Sequence, residues 1–147
     1  MRLALGRPLT ALLLIAWSAS IWWVLTTTRV SGGPLFPGSA FVFNLGHAGL
    51  FGLQALLIGS LLRPGTIGRE AAPWLAASCL ALLYSCALEW RQDSIDGRSA
   101  SWFDLLTNAV GAFGVPWALS QERLFNRRFW IVAATALMTA GLDTARF

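Results

Sequence analysis

Five apolar runs, Leu9 to Leu25, Phe41 to Leu62, Pro73 to Leu88, Ser101 to Leu119 and Phe129 to Leu142, take up most of this 147-residue chain. A membrane-spanning helix needs about 20 predominantly apolar residues, so the first four runs qualify once a residue or two is added at each end. The fifth is shorter, and is either a thin span or a re-entrant segment. Hydrophobic residues make up 56% of the chain and charged residues only 12%. The sequence therefore predicts an all-α integral membrane bundle of four to five transmembrane helices, a single domain over residues 1–147 with no room for a soluble module. Arg2 and Arg7 ahead of an apolar stretch, with Ser18, Ala19 and Ser20 after it, also fit a signal peptide. Apolarity continues past that point through Ile21, Trp22 and Trp23, so an uncleaved helix is the better reading.

Basic residues give the orientation. The net charge of +4 comes from arginines alone, because the chain has no lysine. With five spans, one side of the membrane receives Arg2, Arg7, Arg63, Arg69, Arg123, Arg127 and Arg128, and the other receives Arg29, Arg91, Arg98 and Arg146. The positive-inside bias then places the N-terminus in the cytoplasm. Such basicity speaks of membrane orientation and not of nucleic acid. Trp22, Trp23, Trp90 and Trp102 fall at outer helix ends on this map, and Trp74, Trp117 and Trp130 at inner ends, as interfacial anchors do.

The segment from Leu88 to Asn108 breaks the apolar pattern and becomes the link between the third and fourth helices, on the outer side. Glu89 and Gln92 are three apart on the third helix, while Asp104, Asn108 and Gly111 form one stripe on the fourth. The second helix brings Asn44 and His47, again three apart, to the same depth. Polar groups from three helices thus converge just inside the outer leaflet. A charge at mid-bilayer costs about 2.5 to 3.5 kcal/mol on insertion scales, so such groups face the bundle interior and find partners.

Each position also has a local explanation. Ser101 and Asp104 fit the S-x-x-D form of a capping box, with Asp104 favoured by the helix dipole. Arg98 would pair with Asp104 or Glu89, and Asn108 would be interhelical glue beside the small residues Gly111 and Gly114. Cys79 and Cys86 lie about 10.5 Å apart along one helix, too far to bridge each other, and read as packing residues.

The combination of His47-Ala48-Gly49-Leu50-Phe51-Gly52, Glu89-x-x-Gln92, Gly97-Arg98-Ser99 and Asp104-x-x-x-Asn108-x-x-Gly111 resembles the VanZ-like family of small multi-pass membrane proteins, over roughly residues 9–119. Residues 129–142 form a short apolar helix beyond it. The resemblance implies a multi-pass protein of the bacterial inner membrane and a cell-envelope role such as low-level teicoplanin resistance, without naming a reaction. Family members commonly carry a lysine, a tyrosine and an aspartate where this chain has Asn44, Phe51 and Leu88.

Three functional expectations follow. In the first, His47, Glu89, Gln92, Arg98, Asp104 and Asn108 bind an anionic lipid or a lipid-linked wall precursor at the outer side, helped by the N–H groups that open the fourth helix. In the second, His47, Glu89 and Asp104 form a metal or acid–base site of a membrane-embedded enzyme. In the third, the chain is a structural subunit of a larger membrane complex.

Overall fold

The computed structural model describes residues 6–27, 39–62, 71–95, 102–119 and 127–144. These form five α-helices: α1 Arg7–Thr27, α2 Ser39–Leu62, α3 Ala71–Asp93, α4 Trp102–Leu119 and α5 Arg127–Thr144. Four of them extend one apolar run by a few residues, and α4 begins one residue inside its run. No strand occurs among the described residues.

Contacts between named residues fix the topology. Gly59 faces Trp74 and Phe51 faces Tyr84, so α2 and α3 run antiparallel. Gly114 packs on Val132 and Trp117 on Arg128, so α4 and α5 do the same. Ser18 meets Tyr84 and Leu25 meets Gln92, which makes α1 parallel to α3. The chain goes up and down, and the C-terminal ends of α1 and α3 lie with the N-terminal ends of α2 and α4. Helix α2 is the hub that touches the other four, whereas α1 reaches only α2 and α3, and α5 only α2 and α4.

Small residues bring α2 and α4 together. A methyl placed on Gly111 would stand 2.0 Å from the carbonyl oxygen of Ala48, and one on Gly52 would stand 2.6 Å from the Val115 side chain. Such close backbone approach maximises dispersion contact between the two helices. The apolar core is Ile21, Phe51, Ala55, Ala81, Leu88 and Ala112, with Trp17, Leu25, Tyr84 and Phe113 packed against it.

Helix α4 contains Pro116, which is buried. Proline lacks the N–H that would bond the carbonyl four residues earlier, that of Ala112. The hydroxyl of Ser78 on α3 donates to this carbonyl instead, at 2.7 Å. A break in one helix is thus repaired by its neighbour.

Polarity is distributed inside out. Ser78, Ser85, Gln54, Thr107, Asn108, Glu89 and Gln92 are buried. Leu12, Ile15, Trp23 and Leu83 are 64% to 67% exposed, and large apolar side chains face outward on every helix. Among the described residues, helix α1 and the stretch Leu45–Leu62 are long and apolar enough to cross a membrane, where the sequence reading expects four to five spans. The apolar part of α5, Trp130–Thr139, is shorter.

Two sequence expectations are corrected. Trp74 is buried, its ring filling the slot left by Gly59, and is not an interfacial anchor. Cys79 and Cys86 are exposed on the outward face of α3 and do not pack in the core.

Candidate polar site at one end of the bundle

The up-and-down topology brings His47 near the start of α2, Glu89 and Gln92 at the end of α3, and Asp104 and Asn108 at the start of α4 to one end of the bundle. Arg98, Gly97 and Ser101 lie outside the described residues, as does the side chain of Asn44. The capping box and the pairing of Arg98 therefore fall outside what the structure describes.

His47 and Asp104 come together. The imidazole Nδ1 is 3.6 Å from the carboxylate Oδ1, and the two side chains remain 12% and 18% exposed. That separation is longer than a direct hydrogen bond but within reach of electrostatic pairing. Asp104 stands in the first turn of α4, where the helix dipole favours a negative charge. Arg91, in the last turn of α3, has the complementary placement at the same end.

The other candidates brace helices. Asn108, one turn deeper than Asp104, is buried and donates from Nδ2 to Ser85 Oγ on α3 at 2.7 Å. Its Oδ1 and the Thr107 hydroxyl are buried without a hydrogen-bond partner. Gln92 is also buried and donates from Nε2 to the backbone carbonyl of Leu25 at 2.9 Å. Gln92 thus ties the C-terminal part of α1 to α3. Glu89 is buried beside it on α3.

The end is thus divided: His47 and Asp104 are reachable from outside, while Gln92 and Asn108 tie α3 to α1 and α4. Glu89 does not join the His47–Asp104 pair in a metal set, because the described residues contain no group of three or more His, Cys, Asp or Glu arranged to hold an ion.

A second polar group, deeper in the bundle, was not signalled by the sequence. Gln54 Nε2 donates to Ser18 Oγ at 2.9 Å, Ser18 Oγ donates on to the Leu14 carbonyl at 2.7 Å, and Tyr84 Oη donates to the Ser18 carbonyl at 2.6 Å. Trp17 Nε1 donates to the Leu50 carbonyl at 3.3 Å. At the opposite end the Arg128 guanidinium lies over the Trp117 ring, 5.0 Å from its centroid, a cation–π contact joining α5 to α4.

No family model, curated protein or solved structure matches the chain.

Proposed function

We propose that the chain is a VanZ-like integral membrane protein of the bacterial inner membrane, with four to five spans and a cytoplasmic N-terminus, whose polar end faces outward and holds an anionic lipid or lipid-linked envelope component. The inside-out polarity supports the membrane part. Leu12, Ile15, Trp23, Leu83 and their outward neighbours would leave apolar surface facing water on all sides, whereas a soluble monomer rarely exposes a patch above about 300 to 600 Å². Acyl chains cover such a surface at no cost, and the inward serines, glutamines and asparagine are the interhelical bonds a bilayer favours. The apolar part of α5, Trp130–Thr139, is about 15 Å long at about 1.5 Å per residue, half of the ~30 Å hydrocarbon core, so α5 is the fifth span only if its ends dip into the interface.

The observation that carries the ligand reading is the His47–Asp104 pair, close together yet partly exposed, at the end of a bundle whose flanks are apolar. A lipid head reaching this end meets the N-terminal end of α4, where the helix dipole favours an anion. Arg98, on the link between α3 and α4, supplies the charge that favours an anion, and His47 opposes Asp104. Gln92 and Asn108 hold the helices that form the site. No reaction is assigned.

The test is the thermal unfolding midpoint of the purified protein with phosphatidylglycerol, an undecaprenyl phosphate or phosphatidylcholine added. The reading expects a rise with the two anionic lipids alone, lost in Arg98→Ala while membrane insertion is unchanged. An Arg98→Ala protein that keeps the full lipid response overturns it.

A further inference from the structure

Helices α1 and α5 flank the bundle, each against two others, and α1 is attached chiefly through side-chain hydrogen bonds. Of its 21 residues only Thr10 and Ile21 are buried, and Ile21 is its one fully enclosed contribution to the core. It has no contact with α4 or α5. Where α2 and α4 meet backbone to backbone at Ala48 and Gly111, α1 is held by side-chain hydrogen bonds: Trp17 to Leu50, Gln54 and Tyr84 to Ser18, and Gln92 to Leu25.

Three of these four bonds have the same polarity. Gln54, Tyr84 and Gln92 belong to α2 and α3 and act as donors, and α1 offers a hydroxyl and two carbonyl oxygens. The Ser18 carbonyl lies mid-helix and keeps its own helical partner when Tyr84 leaves, so release of α1 strands the donors more than α1 itself. Apolar surface supplies little restraint between helices in lipid, because acyl chains replace the lost contacts. The vacated seat would present the donors of Gln54, Tyr84 and Gln92 over about two turns from mid-bundle toward the polar end, with the buried Gln54 Oε1 as an acceptor beside them. These donors match acceptors such as the ester carbonyls and phosphodiester oxygens of a phospholipid.

We propose that α1 is a strap that leaves and rejoins the α2–α5 core within the membrane, and that a phospholipid's glycerol ester and phosphate oxygens take its place on Gln54, Tyr84 and Gln92. The strap itself follows from the helix contacts. Its use by an anionic lipid rests on the reading of the polar end given above. Gln92 links the two, because it bonds the Leu25 carbonyl of α1 in the closed form and faces the seat when α1 is away.

The test uses the full chain in phosphatidylcholine bilayers with Cys79→Ala and Cys86→Ala, spin-labelled at Leu12→Cys on α1 and Leu83→Cys on α3. A reference protein carries labels at Leu83→Cys and Leu106→Cys, across α3 and α4. Double electron–electron resonance is expected to give two α1–α3 distances against one narrow α3–α4 distance. Gln92→Leu is expected to raise the separated α1 population at least twofold, and phosphatidylglycerol is expected to raise it further in the parent protein. A single α1–α3 distance as narrow as the reference overturns the strap, even where phosphatidylglycerol still raises the unfolding midpoint. Two populations indifferent to phosphatidylglycerol overturn lipid occupancy of the seat and leave the strap standing.

Discussion

Ser78 on α3 donates a 2.7 Å hydrogen bond to the carbonyl of Ala112 on α4, the carbonyl that Pro116 leaves without a donor. A buried acceptor that loses its partner costs about 1 to 3 kcal/mol. Ser78→Ala is expected to destabilise the protein by that amount. Pro116→Ala restores an N–H to Ala112, so Ser78→Ala is expected to cost less in that background. Unfolding free energies of the two single variants and the double variant, measured in detergent or bilayer, check the non-additivity.

Gly111 and Gly46 are opposites within one bundle. A methyl at Gly111 meets the Ala48 backbone, which cannot move aside, so Gly111→Ala separates α2 from α4. A loss of at least about 1 to 3 kcal/mol is expected, the range for overpacking. Among the described residues, nothing lies within 4 Å of a methyl placed on Gly46 or Gly49. Alanine there should be neutral or stabilising by up to about 1 kcal/mol, the helix propensity difference. Thermal midpoints of the three variants give the comparison.

Asn108 and Ser85 lie 23 residues apart in sequence and share a buried 2.7 Å bond. Interhelical bonds of this kind average about 0.6 kcal/mol in membranes and reach about 1.7. A double-mutant cycle of Asn108→Ala and Ser85→Ala is expected to return a coupling in that range, toward its upper part because both side chains are buried.

The outward thiols report on the surroundings of α3. In the proposed orientation Cys79 and Cys86 face acyl chains, so a lipid-soluble maleimide is expected to label them in intact membranes and a charged, water-soluble one is not. In the Cys79→Ala, Cys86→Ala background, Ser94→Cys, at the exposed turn after α3, is expected to react with the charged reagent from the outer side, and Arg127→Cys only after the membrane is opened. Mass spectrometry of labelled protein reads both.

The helices and the polar end were legible because each has a local signature. Long apolar runs mark α1 to α5, and spacings of three and four place His47, Glu89, Gln92, Asp104 and Asn108 on inward stripes. Ser18, Gln54, Ser78, Tyr84 and Ser85 were not legible, since a single polar residue in an apolar run has no periodicity and its partner is 23 to 66 residues away. Trp74 resembles an interfacial anchor by position, and only the slot opened by Gly59 on another helix makes it a core residue. The cysteines share the exposed side of α3 with Leu83, four residues from Cys79 and three from Cys86, a grouping consistent with helical spacing. The brace roles of Gln92 and Asn108 likewise depend on which helix faces which, a tertiary fact.

Native mass spectrometry of the protein released from bilayers of mixed phosphatidylglycerol and phosphatidylcholine tests most directly whether the polar end holds an anionic lipid. The account predicts one retained phosphatidylglycerol per chain, absent from Arg98→Ala and diminished in His47→Ala. Equal retention of both lipids, or an unchanged lipid count in Arg98→Ala, contradicts it.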